Sequence, residues 1–233
     1  MITFKTFLTE ETRDLIEYLR TYCQPAISDF LNAKNYLWRG MNPKGPRDKW
    51  EYDKAIIDGY FGQRRENRRP RDTPPWAHEL IDEFFEVEFD MKLRSSTVFA
   101  FNNRSKAGGY GSTFAMIPVG KYTIYWSPKV EDLTSELFPD LESGVDDGLA
   151  GGRAYWDEEL GDAHARITRQ QEIHFINEYL QQADYKRGPN VEALKHAPGE
   201  LMVWCSHYLA LQISESEMTE VLLEAATDEK VEQ

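Results

Sequence analysis

Apolar positions along this chain recur first at helical spacing and later in short alternating or continuous runs, and the switches between the two outline its elements. Leu15, Ile16, Leu19 and Tyr22 form a helical face behind Thr9, which reads as an N-cap followed by an acidic first turn, Glu10 and Glu11. Pro25 interrupts, and a second short helix is expected through Ile27, Phe30 and Leu31. Tyr36 to Gly40 reads as a short strand. Residues 42–75 are rich in Pro, Gly and Arg and read as a long basic loop with one helical turn around Tyr52 to Tyr60. Helical periodicity returns from Trp76 to Phe89, with Leu80, Ile81, Phe84 and Phe85 on one side. Strands are expected at Ser96–Phe101, Thr113–Ile117 and Tyr122–Trp126, with Pro118-Val119-Gly120 as a tight hairpin turn. A short helix at Val130–Phe138 and an acidic, glycine-bearing loop from Ser143 to Asp162 follow. Arg169 to Gln182 reads as a helix with Ile173, Ile176 and Leu180 inward. Leu201–Cys205 and Tyr208–Ile213 read as two closing strands around Ser206-His207, before a final amphipathic helix capped by Ser214 or Ser216.

No internal repeat or domain linker interrupts this pattern. One α+β domain over residues 1–233 accounts for it, with a helical N-terminal part (1–35), the basic loop (42–75) and an acidic tail (225–233). The 233 residues suffice for a sizeable core, and 41% hydrophobic content with 12 Tyr, 12 Phe and 6 Trp excludes disorder throughout. No apolar stretch nears the roughly 20 residues of a membrane helix. Met1 to Lys5 lacks the regions of a secretion signal, and two cysteines, Cys23 and Cys205, provide no disulfide framework, so a reducing cytoplasm is expected.

Charge sharpens the picture. A formal net charge of -13 argues against a protein that simply coats nucleic acid. Yet residues 39–71 hold ten Lys/Arg against five Asp/Glu, and five of those arginines fall between Arg64 and Arg71. Residues 129–163 hold eleven Asp/Glu against two Lys/Arg. The Arg64–Arg71 cluster reads as a solvated loop or as a contact for phosphate. The five histidines show no metal-ligand spacing, and His78 and His174 read as surface or packing residues. Gly108-Gly109-Tyr110-Gly111 is no phosphate loop, because no Gly-Lys-Ser/Thr follows it.

Three separated segments carry candidate chemistry: Leu37-Trp38-Arg39-Gly40-Met41, Ser95-Ser96-Thr97-Val98-Phe99-Ala100 and Gly199-Glu200-Leu201-Met202-Val203-Trp204. Each sets polar residues at the end of an apolar run, as a strand does when it delivers side chains to a rim. Arg39 offers a planar fork of donors suited to a diphosphate or ribose. A glutamate presented from a rigid strand, as Glu200 is, strengthens its hold on a sugar ring as positive charge develops there. Cleavage of a nicotinamide–ribose bond passes through such an oxocarbenium-like state.

In order and context these segments resemble the ADP-ribosyltransferase superfamily. Leu37-Trp38-Arg39-Gly40 stands where the polymerase branch has Leu-Trp-His-Gly and the toxin-like branch has arginine. Ser96-Thr97 is similar to the Ser-Thr signature of the arginine-serine-glutamate branch. Phe99-Ala100 with Ser105-Lys106-Ala107 and Tyr110-Gly111 resembles the second polymerase motif, and Gly199 to Trp204 with Tyr208-Leu209 resembles the third. The resemblance spans roughly residues 36–213 and extends to uncharacterised proteins of tailed phages. It implies an ADP-ribosyltransferase-like split mixed β-sheet flanked by helices. It also implies NAD as substrate, no metal, and transfer of ADP-ribose to a protein or nucleic-acid acceptor or to water. By that resemblance Glu200 is the catalytic carboxylate, with Arg39 and Ser96 holding NAD. The Gly40 backbone meets the nicotinamide carboxamide, Ser96 with Thr97 lies by the ribose and orients Glu200, Tyr110 closes the pocket and Phe99 is a wall. One departure stands out: Pro198 occupies the place of the second Glu or Gln that engages an acceptor arginine in toxin-like enzymes. Two other readings remain: a non-enzymatic nucleotide or partner binder on the same fold, such as an acidic viral inhibitor in a host cytoplasm, and an acidic mimic of nucleic acid built on residues 129–163.

Overall fold

The chain enters the structure as a two-residue strand, β1 (Arg13–Asp14), whose Asp14 then caps α1 (Leu15–Tyr22) by accepting the Glu17 N–H at 2.9 Å. The structure is a computed structural model that describes residues 13–42, 47–53, 55–68, 73–137, 154–155, 165–166 and 169–227. The expected Thr9 cap lies outside these residues. Leu15, Ile16, Tyr18 and Leu19 are the buried face of α1, while Tyr22 is largely exposed. Pro25 sits in the first turn of α2 (Gln24–Ala33), where its missing N–H costs nothing, and Lys34 ends the helix at φ 54°.

Strand β2 (Leu37–Met41) leads to a pair of strands, β3 (Asp48–Tyr52) and β4 (Ala55–Gln63), in the region expected as a basic loop with a helical turn. The difference has a physical cause: Trp50 is fully buried opposite Ile57, and β4 continues onto a long strand near the C-terminus. Helix α3 (Pro75–Phe89) is followed by a short turn, α4 (Leu93–Ser96), and by β5 (Val98–Phe101). Ser96 therefore ends a helical turn instead of opening a strand. That turn is fixed by side chains: Asp82 Oδ1 accepts the Arg94 N–H at 2.8 Å, and Thr97 Oγ1 donates to the Leu93 carbonyl at 2.6 Å.

After α5 (Arg104–Gly108) comes β6 (Ser112–Trp126), which runs straight through the expected Pro118-Val119-Gly120 hairpin. The remaining elements are α6 (Leu133–Leu137), β7 (Ala154–Tyr155), β8 (Ala165–Arg166), α7 (Arg169–Gln182), β9 (Lys186–Arg187), α8 (Asn190–His196), β10 (Glu200–Leu211) and α9 (Glu215–Ala226). Helix α9 opens with a capping box between Ser214 and Glu217. Most of the acidic loop expected at Ser143–Asp162, and the tail beyond Thr227, lie outside the described residues.

The fold is α+β. Its main sheet has eight strands in the order β1-β3-β4-β10-β5-β2-β6-β9, antiparallel except at β1–β3. Strands β6 and β10 also pair with each other along most of their lengths, so β10–β5–β2–β6 closes into a ring. Tyr122 pairs with Cys205 and Val119 with His207, so β6 spends one more residue than β10 on that interval. This bulge is what Pro118 to Gly120 and Ser206-His207 produce in place of two turns, since the ladder resumes on both sides.

Two apolar layers flank the β6–β10 ladder. Leu201, Val203 and Cys205 join the larger one, with α1, α2, α8 and α9. Met202 and Tyr125, opposite each other in the ladder, join the smaller one with Ile81, Phe85, Leu133, Ile176 and Leu180, and Trp204 packs against it. Glu200, by the alternation of β10, shares the side of Met202 and Trp204.

Candidate active site

The entry to β10 is held by backbone contacts. The Glu200 N–H donates to the Glu131 carbonyl at 2.8 Å, and Lys106 Nζ donates to the Pro198 carbonyl and meets Glu131 Oε2 at 2.9 Å. A Cβ on Gly199 would stand 1.9 Å from the Glu131 carbonyl oxygen, so only glycine fits there. These contacts set the Glu200 side chain at the start of a strand that is paired on both sides.

Its carboxylate is met by a residue that the sequence pattern did not single out. Arg94 Nη1 donates to Glu200 Oε2 at 3.0 Å, and both side chains are largely buried. Arg94 Nη2 donates to Thr134 Oγ1 at 2.9 Å, and Thr134 lies within hydrogen-bond reach of Thr73. Burial pushes the Glu200 pKa up and the Asp132 charge adds to this, while Arg94 and Arg68 oppose it. Burial likewise drives the Tyr185 hydroxyl well above its ordinary value, with the Glu200 charge contributing.

Arg94 is itself held by α3. Asp82 accepts the N–H groups of Arg94 and Ser95, at 2.8 and 3.3 Å, and the Ser95 hydroxyl donates to its other oxygen. His78 Nε2 lies 2.9 Å from Ser95 Oγ and 3.3 Å from Asp82 Oδ2. Burial lowers the His78 pKa despite Asp82, and the Arg94 and Arg68 charges lower it further. Serine, histidine and aspartate meet here, but the serine bonds the aspartate directly and one ring nitrogen, Nε2, faces both, whereas in a hydrolase triad the histidine stands between them. His78, expected as a surface or packing residue, is buried and faces Ser95 and Asp82.

Phe99 is the hub of the site. Arg39 Nη1 donates to its carbonyl at 2.6 Å, and the Arg68 and Arg94 guanidinium carbons lie 4.2 and 4.7 Å from its ring centre. Arg64 donates to the Ser96 carbonyl at 3.0 Å and stands 5.4 Å from the Trp204 ring, while Arg39 stands 5.7 Å from the Tyr208 ring. The segment 64–68 thus belongs to the site, fixed at its ends by Arg64 N–H to the Ser206 carbonyl and Arg68 N–H to the Ser95 carbonyl, both at 3.1 Å. Burial, then the neighbouring Arg39 and Arg94 charges, bring the Arg68 pKa down to about 10, which leaves it protonated at neutral pH.

Phe99 links the expected residues: Arg39 bonds its carbonyl, Arg94 lies over its ring and bonds Glu200, and Ser96 joins only through its carbonyl to Arg64. The orienting contact expected of Ser96 toward Glu200 is made by Arg94, and the Ser96 backbone serves Arg64. Thr97 is buried and bonds back to its own turn. Gly40 is where β2 meets α5: a Cβ there would lie 1.9 Å from the Ala107 carbonyl oxygen and 2.8 Å from Tyr110 Cβ. Tyr110 is half exposed, stacks on Phe101 at 5.2 Å and donates to Asp132. Burial works to raise the Asp132 pKa, but the Tyr110 and Ser135 hydrogen bonds bring it below its ordinary value. The arginines at 64 and 68 were visible as charge, though not as a packed element. Arg94 stands two residues before Ser96, and its one sequence signal was a basic residue beside an apolar run.

A separate cavity of about 530 Å³ lies between α3 and α7, lined by Leu80, Phe84, Val87, Leu180 and Tyr185 with acidic residues including Glu83 and Asp184. Among the described residues, no group of three His, Cys, Asp or Glu side chains comes together as a metal site, and no helix is long and apolar enough to cross a membrane. In comparisons with protein-family models, with curated proteins and with solved structures, the chain matched none.

Proposed function

We propose that this protein is an NAD-dependent mono-ADP-ribosyltransferase, or an NAD glycohydrolase when water is the acceptor, on an ADP-ribosyltransferase-like split sheet. The observation that carries the reading is the placement of Glu200: a largely buried carboxylate at the start of a doubly paired strand, bonded to Arg94 and grouped with Arg39 around Phe99. In this reading Arg39 binds NAD, and Glu200 takes hydrogen bonds from the ribose hydroxyls as the ring becomes cationic. The bond from C1′ to nicotinamide breaks, and its electron pair leaves with the neutral nicotinamide. An acceptor nucleophile then bonds to C1′ and gives up its proton. The acceptor is a protein side chain, a nucleic-acid group or water, in a cytoplasmic setting, and the chain uses no metal. At the place where toxin-like enzymes engage an acceptor arginine this chain has Pro198, whose carbonyl is bonded to Lys106, so arginine is not the acceptor by that geometry.

Nicotinamide release from NAD, followed by chromatography with intact-mass analysis of candidate targets, tests this. Wild type is expected to release nicotinamide, and Glu200→Ala to slow it by about 100-fold or more. Equal rates in the two proteins remove the enzymatic reading.

The Arg94–Glu200 ion pair also favours a second reading, because it satisfies the carboxylate without a substrate. In it the same cleft binds a nucleotide and does not cleave it. Calorimetry that finds binding with no nicotinamide release selects this alternative.

A further inference from the structure

Arg39, Arg64, Arg68 and Arg94 converge on Phe99 and Trp204, and among the described residues Glu200 is the carboxylate their guanidinium groups meet at close range inside the cleft. Arg64 also faces Glu66 at 3.7 Å, but Glu66 is exposed. Their aromatic contacts cover guanidinium faces, and the hydrogen bonds at their edges leave one buried nitrogen of each without an acceptor. Arg39 Nε, Arg64 Nε, Arg68 Nη1 and Arg94 Nε are buried without a hydrogen-bond acceptor, and the Arg94 residue as a whole is only 7% exposed. Buried donors of this kind are uncommon in native proteins, and a set of them on cationic groups of one sign is what an oxyanion relieves.

We propose that Arg64, Arg68 and Arg94 form an oxyanion site that takes the diphosphate of a nucleoside diphosphate, a role the arginine-serine-glutamate pattern gives to none of them. The proposal rests on the reading of this cleft as a nucleotide site, but not on bond cleavage. The donors are covered, so the ligand enters as the exposed stretch Arg65-Glu66-Asn67 lifts away. That stretch lies between two backbone anchors, Arg64 to Ser206 and Arg68 to Ser95, which hold Arg64 against Trp204 and Arg68 against Phe99 while the stretch between them moves. Burial, and after it the neighbouring Arg39 and Arg94 charges, lowers the Arg68 pKa, and a bound anion offsets both.

The test is calorimetric titration of the full chain with inorganic pyrophosphate. Wild type is expected to bind saturably at one site. Arg68→Leu keeps apolar contact with Phe99 but removes the charge, and is expected to weaken binding by about tenfold or more. Arg187→Ala, on the exposed strand β9, is expected to leave it unchanged. Should Arg68→Leu fail to fold, Arg68→Lys carries the test: it keeps charge, loses the planar fork, and is expected to weaken binding measurably. Absence of saturable binding in wild type overturns the proposal, as does equal weakening by Arg187→Ala. A short single-stranded oligonucleotide without terminal phosphates separates the sources: if it displaces pyrophosphate at equal phosphate concentration, the site takes any polyanion and the proposal is wrong. Failure here and failure of the enzymatic reading are distinguishable. Pyrophosphate binding without nicotinamide release leaves this site standing, whereas release with no pyrophosphate response removes it alone.

Discussion

The two layers on either side of the β6–β10 ladder are built by different rules. The larger is closed by aliphatic and aromatic side chains from four helices, α1, α2, α8 and α9. The smaller is apolar toward α6 and α7 but charged toward α4. The buried polar or charged residues found among the described residues, Thr73, His78, Asp82, Arg94, Thr97 and Ser127, all belong to segments that build this second layer. One strand serves both: Leu201, Val203 and Cys205 fill the first, while Glu200, Met202 and Trp204 furnish the second. The lesson concerns what each layer specifies. An apolar layer needs volume and pattern, and tolerates changes that conserve them. A layer organised around one ion pair has to satisfy each partner and its supports, because an unmatched member is costly.

That contrast can be broken or sharpened by substitution. The largest effect is expected at the ion pair. Arg94→Met alone leaves Glu200 buried without its cation and should cost about 3–5 kcal/mol in chemical denaturation, whereas Arg94→Met with Glu200→Leu should recover most of it. If the double variant is as unstable as the single one, the second layer is not organised by charge. Next comes Asp82→Ala, which strips the α4 turn of its cap; about 2–3 kcal/mol of lost stability is expected, with nicotinamide release falling as Arg94 shifts. A stability loss with release unaffected would make Asp82 a support of the fold only. The smallest effect is expected in the first layer, where Ser214→Ala removes the α9 capping box. It should cost about 1 kcal/mol and leave pyrophosphate binding unchanged by calorimetry.

Legibility in the sequence followed the same division. Helices whose apolar faces meet the core, such as α3 and α7, are readable from periodicity because burial enforces it. The cap of α9 follows from local chemistry: of the two serines expected there, Ser214 closes the capping box with Glu217. Turns were over-read: Pro118 to Gly120 carries the residues of a hairpin, but a partner strand on both sides converts it to a bulge. Strands β3 and β4 were hidden for the opposite reason: they lie inside a stretch, residues 42–75, whose Pro, Gly and Arg content reads as loop, and β4 pairs with β10, far along the chain. In the site, Glu200 and Arg39 stood at strand ends where a pattern can point. Arg94 sits in a four-residue turn whose amides are held by Asp82 of another helix, a contact that neither helical nor strand periodicity encodes.

The stretch from Pro198 to Glu200 has a consequence for how such a protein can diversify. Pro198 contributes its carbonyl to Lys106, Gly199 has no room for a side chain against Glu131, and Glu200 anchors its own amide to the same residue. Three successive positions beside the carboxylate are thus committed through the main chain, closed to new side-chain chemistry unless the Glu131 segment moves with them. Specificity for a second substrate must then be written elsewhere, on the mutable rim that Tyr110, Asp132 and Arg65 to Asn67 present to solvent. A substitution at these three positions has to move two chain segments at once, whereas one on the rim has to move none.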